Sequence, residues 1–114
     1  MFAACDRPIP CLIEEVELHL GGDVPVAPYH PTGTRALGLA VAELLHDRAA
    51  ALLSHHGLVV VAGSPGEALE RTQLVERTAR IAAGAERLGT PTPLPEEARA
   101  RLRRVYLDRR RRGA

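Results

Sequence analysis

The sequence predicts an α/β domain, a sheet with helices packed over it. Segments of helical periodicity alternate with short apolar runs the length of a strand. Two of those runs, Ala49 to Leu53 and Leu58 to Ala62, are joined only by Ser54-His55-His56-Gly57. That link is far too short for a parallel crossover, so this pair is expected to be antiparallel. With 114 residues, 46% of them apolar, the chain has the size and composition of one globular domain, residues 1–114, with its own core.

Taken in order, Pro10 suits the first turn of a helix, and Leu12, Ile13, Val16 and Leu20 then fall on one face. Glu14 and Glu17 are expected to point away from that face, with Glu15 and His19 bordering it; Gly21-Gly22 stops the helix. Val24 to Pro28 reads as a short strand, and its prolines confine it to a sheet edge or a strand end. Thr34 is a good N-cap for a helix whose inner face carries Leu37, Ala40, Val41, Leu44 and Leu45. Beyond the two apolar strands, Ser64-Pro65-Gly66-Glu67 is a capping box with proline at the first helical position. The helix behind it should reach Leu88, with Ala68, Thr72, Val75, Ala79 and Ala82 inward and the pairs Glu67–Arg71 and Glu76–Arg80 four apart. A last helix from Glu96 toward Arg112 starts acidic and ends basic, as the helix dipole favours.

Composition removes several function classes. All 15 basic residues are arginine, so no lysine is present for Schiff-base chemistry or a Walker-type phosphate loop, and no GxGxxG run occurs. Three aromatics (Phe2, Tyr29 and Tyr106) are too few for a base-stacking platform, and a net charge of +1 gives no broad pull toward nucleic acid or membrane. No apolar run approaches the length of a bilayer span, and no basic leader with an apolar stretch opens the chain, so the expected compartment is the cytoplasm. Cys5 and Cys11 make neither a disulfide framework nor a CxxC pair.

The insert Ser54-His55-His56-Gly57 is the sharpest local signal. A polar pair between two apolar strands is expected to meet solvent, a cavity or a ligand, and adjacent residues cannot both serve one site. Turn histidines with ordinary hydrogen bonds are the alternative, since a metal site needs at least three protein ligands. His19, His30 and His46 stand singly on helix flanks and turns. Tyr29 is expected to make a structural hydroxyl contact, Tyr106 to pack, and Arg109 to Arg112 to form a solvated helix end.

Several features together resemble the class II aldolase/adducin family, and within it the fuculose-phosphate aldolase type. They are PVAPY at Pro25–Tyr29, GT at Gly33–Thr34 before a helix, LLSHHG at Leu52–Gly57, the strand and capping box that follow, and EALERTQLVE from Glu67. The likeness extends back to Arg7–Pro10 and forward into Leu94–Tyr106, almost the whole chain.

The resemblance implies a three-layer α/β/α sandwich with a largely antiparallel or mixed sheet, here only in part. It also implies a divalent metal, usually zinc, that stabilises the enediolate of a phosphorylated sugar as a ketose phosphate is cleaved to dihydroxyacetone phosphate and an aldehyde. The histidine directly before glycine is a metal ligand in that family, which assigns the role to His56; His55 then occupies a position that is often asparagine and is not a ligand. The family's other two ligands form an H-x-H pair upstream of a segment like FAACDRPIP, and no such pair occurs here. The chain is therefore expected to be the C-terminal portion of such a domain and, alone, inactive. Where the aldolase type places a proton-transferring tyrosine, this sequence has Glu14 or Glu15, with Glu15 preferred because it borders the apolar face. Related dehydratases use a glutamate in that region; solvated helix glutamates are the alternative. The implied partners are a phosphorylated sugar and further copies of the chain in a tetramer, without nucleic acid or membrane. A non-catalytic, adducin-like interaction module and a sugar-phosphate epimerase or dehydratase are the competing functions.

Overall fold

The structure, a computed structural model, describes residues 1–113. A 3-10 turn at Phe2–Cys5 is followed by α1 (Glu14–Leu20), β1 (Val26–Ala27), α2 (Arg35–Leu44), β2 (Ala50–Leu53), β3 (Gly57–Val60), α3 (Pro65–Leu88) and α4 (Glu96–Arg111). The sheet is mixed, in the order β1-β2-β3. β2 and β3 are antiparallel as expected, with Ala50 opposite Val60 and Leu53 opposite Gly57. β1 runs parallel to β2, with Val26 opposite Leu52, and α2 lies within the crossover that a parallel pair requires. Among the described residues no helix is long and apolar enough to cross a membrane.

Both predicted caps form. Thr34 Oγ1 accepts from Leu37 N–H, and Ser64 Oγ accepts from Glu67 N–H while the Glu67 carboxylate accepts from Gly63 N–H at 2.8 Å. α3 ends at Leu88 as the periodicity indicates, and Leu74, Val75, Thr78 and Ala82 are its buried residues. Glu67–Arg71 closes as an ion pair at 2.7 Å; Glu76–Arg80 does not close. The inner face predicted for α2 is the right one, yet all five of its residues are only half-buried, the helix packing mainly on the short strands β1 and β2.

The entry to α1 departs from expectation. Pro10 is not helical: Ile9 exchanges both backbone hydrogen bonds with Val24, and the chain stays extended through Ile13 before α1 begins at Glu14. Glu17 does not point away. It is 1% exposed, with Arg99 Nε donating to Oε2 at 3.0 Å and Arg103 Nη1 at 3.8 Å from Oε1. A buried carboxylate is tolerable only when paired and hydrogen-bonded. Its partners lie about eighty residues away, outside any local periodicity.

Those partners belong to a row of arginines on one face of α4. Arg99 also donates to Asp23, Arg103 donates to the Gly21 carbonyl and to Asp47, and Arg110 donates to the carbonyls of Leu45 and Arg48. α4 thus satisfies the loose carbonyls of two loops and fastens them to α1. Gly21 closes α1 at φ 86°, and a Cβ there would lie 2.5 Å from Tyr106 Cε1, so only glycine fits. Tyr106 is packed as expected, with its hydroxyl accepting from Arg110. Burial and the Glu17 carboxylate push the Cys11 thiol up to about 12, which makes it an inert core residue.

Candidate metal-ligand site at the β2–β3 hairpin

Parallel pairing of β1 with β2 decides which residues can meet. Ala27 lies opposite Leu53, so the residues that follow each strand leave the sheet at the same end. From β1 come Tyr29 and His30; from β2 comes the three-residue turn of Ser54, His55 and His56. His55 takes up the left-handed conformation at φ 59°, and Gly57 follows at φ 142°, a value that suits glycine. The turn places His55 and His56 at the surface, whereas Ser54 stays buried, its Oγ without a hydrogen-bond partner among the described residues.

His56 is held by two contacts. Its ring stacks on Tyr29, centroids 5.7 Å apart and planes within 12°, and Nε2 lies 2.8 Å from the His30 carbonyl oxygen. A carbonyl only accepts, so Nε2 carries a proton, and in the neutral ring the lone pair is then on Nδ1. His55 meets Tyr29 edge-on at 6.2 Å and makes no such carbonyl contact. Tyr29 therefore acts through its ring face rather than through the hydroxyl contact expected of it. Sequence reasoning singled out His56 but missed that Tyr29 and His30 frame it. The signal would have been the parallel register, which neither strand's own pattern carries.

The other predicted site residues lie elsewhere. Glu14 and Glu15 are exposed on the first turn of α1. Glu15 and His19 line an open groove of about 580 Å³ with Glu70, Arg77 and Arg80 of α3, and no hairpin residue borders it. His46 sits beside Arg104 and Asp108. Among the described residues no three His, Cys, Asp or Glu side chains converge to hold a metal ion. By themselves these residues do not fit a metal: His56 is one exposed donor where a site needs at least three.

The family description Class II Aldolase and Adducin N-terminal domain matches residues 1–83. L-fuculose phosphate aldolase of Escherichia coli O6:H1 is 35% identical over 89 residues, which is 78% of this chain and 41% of that protein. The 5-deoxy-D-ribulose 1-phosphate aldolase of Bacillus thuringiensis serovar kurstaki is 34% identical over 86 residues, 75% of this chain and 40% of that one. A solved L-fuculose 1-phosphate aldolase superposes with a TM-score of 0.83 at 30% identity, covering 90% of this chain and 48% of that chain. The chain spans less than half the length of these relatives. It belongs to the class II aldolase and adducin family.

Proposed function

We propose that these residues are the C-terminal portion of a class II aldolase-type domain, and that their contribution to a divalent-metal site, zinc in the first instance, is the His56 imidazole. The remaining ligands would come from polypeptide outside residues 1–114. The substrate class is a phosphorylated ketose, cleaved to dihydroxyacetone phosphate and an aldehyde in the cytoplasm by a homo-oligomer. The observation that carries this reading is the hairpin: an exposed imidazole, fixed in tautomer by the His30 carbonyl and in tilt by Tyr29, in a chain similar to sugar-phosphate aldolases.

What the chain's own residues do is hold that imidazole. The Nε2–H bond to a backbone carbonyl leaves Nδ1 as the free donor, and the stack restricts rotation of the ring. Glu15, with Glu14 beside it, is the proposed proton-transfer group. Its groove excludes the hairpin of its own chain, so Glu15 would serve the site of a neighbouring subunit.

The test joins the chain to the remaining part of the fold and measures bound zinc and dihydroxyacetone phosphate released from ketose 1-phosphates. One zinc per subunit and turnover are expected, both lost in His56→Ala; in Glu15→Gln, turnover falls and zinc stays. Zinc and turnover that survive His56→Ala would overturn the assignment. Neither metal nor turnover in the unaltered protein would favour a non-catalytic interaction module.

A further inference from the structure

α1 is a helix of seven residues with little of its own to fix its pose. A helix this short is marginal by itself, and its N-cap, Ile13, offers no side-chain acceptor. Val16 and Leu20 are buried against the core, but apolar burial has no direction. It holds the helix down without setting how far it is turned about its axis.

That rotation is set from α4. Glu15 and Glu17 are two residues apart, about 200° around the helix. The Glu17 face meets α4, while Glu15 borders the groove against α3. From α4, Arg103 Nη1 donates to the Gly21 carbonyl at 2.6 Å and lies 3.8 Å from Glu17 Oε1, and Nη2 donates to Asp47 at 2.6 Å. One guanidinium thus grips α1 through a side chain in its middle and through the backbone at its end, and braces both against the loop after α2. Arg99 adds a second hold on Glu17, and the Tyr106 ring closes the space beside Gly21. Charge-assisted bonds from a planar fork are directional, as apolar contact is not. All of these contacts close between residues 17 and 106 of one chain.

We propose that Arg103 is a positioning residue for Glu15: by fixing the rotation of α1, it sets where the Glu15 carboxylate stands. The proposal rests on the reading of Glu15 as the proton-transfer group. A carboxylate about 5–6 Å from a helix axis moves about 1 Å for each ~10° of rotation. A misplacement of that size can cost about a hundredfold in rate. Lysine cannot replace this arginine, because its ammonium has the charge but not the fork that meets Gly21, Glu17 and Asp47 together.

The test uses the chain joined to the remaining part of the fold, with kcat and KM for ketose 1-phosphate cleavage, bound zinc and amide exchange over α1 read together. In Arg103→Lys, where Arg99 still pairs with Glu17, kcat is expected to fall about tenfold or more with KM and zinc unchanged, and exchange over α1 to quicken. Arg104→Ala, at the exposed neighbour on α4, should alter neither. The loss should vanish in a Glu15→Gln background, because a carboxylate that is absent cannot be misplaced. An equal loss with and without Glu15 would mean a merely structural role and overturn the proposal. So would kcat or α1 exchange that Arg103→Lys leaves unchanged. No turnover in the unaltered protein, or turnover that Glu15→Gln leaves untouched, would overturn the proton-transfer reading and this role with it, while exchange over α1 still reports whether Arg103 holds the helix.

Discussion

On the α1–α4 side of the molecule, Glu17 is buried with two guanidinium groups, and the loop carbonyls of Gly21, Leu45 and Arg48 are each met by an arginine. On the hairpin side, His56 is exposed and held by one ring face and one carbonyl, beside a helix and a strand that are only half-covered. Polar groups on the first side are matched to one another. On the second, an imidazole nitrogen and a row of backbone donors and acceptors on β3 meet no partner among the described residues. The contrast separates residues that hold this chain together from residues that contribute little to its own packing.

Substitutions on the two sides should therefore differ in kind. Glu17→Ala leaves Arg99 and Arg103 without their buried partner, and urea unfolding should show a loss of about 3 kcal/mol, the low end for breaking a buried pair because both arginines keep some contact with water. A near-neutral Glu17→Ala would erase the contrast. Gly21→Ala adds a Cβ against the Tyr106 ring at positive φ and should cost about 2 kcal/mol in the same assay. The acid limb of stability sharpens the comparison further. Burial, the largest influence, pushes the Asp47 carboxyl upward, but the Arg48 hydrogen bond and the charges of Arg48 and Arg103 outweigh it and hold the group below its ordinary 3.8. A carboxylate lowered in the folded state stabilises fully above its unfolded value and loses that contribution as pH falls through the folded value. Asp47→Asn should therefore flatten the decline in stability below about pH 4, measured as Tm against pH. The smallest effect belongs to the hairpin: His56→Ala should change stability by no more than about 0.5 kcal/mol, as at an exposed site.

Local chemistry made much of this legible. Thr34 and Ser64 announce their helices through cap geometry, and the polar insert between two apolar runs forces the β2–β3 hairpin. Glu17 was misread because a seven-residue helix rich in carboxylates looks solvated until arginines far along the chain are brought to it. Tyr29 and His30 were invisible as the frame of His56 for a related reason. They meet it only through the parallel register of a two-residue strand, a pairing that no local pattern encodes.

The most direct test of the division between the two sides is a zinc titration of the chain joined to the remaining part of the fold, followed at the ring signals of the five histidines within residues 1–114. His56 is expected to respond at the lowest zinc concentration, and His56→Ala should abolish that response while leaving Tm where it was. A response that survives His56→Ala, or one that begins at His19 in the α1 groove, would contradict the assignment of the hairpin imidazole as the metal donor.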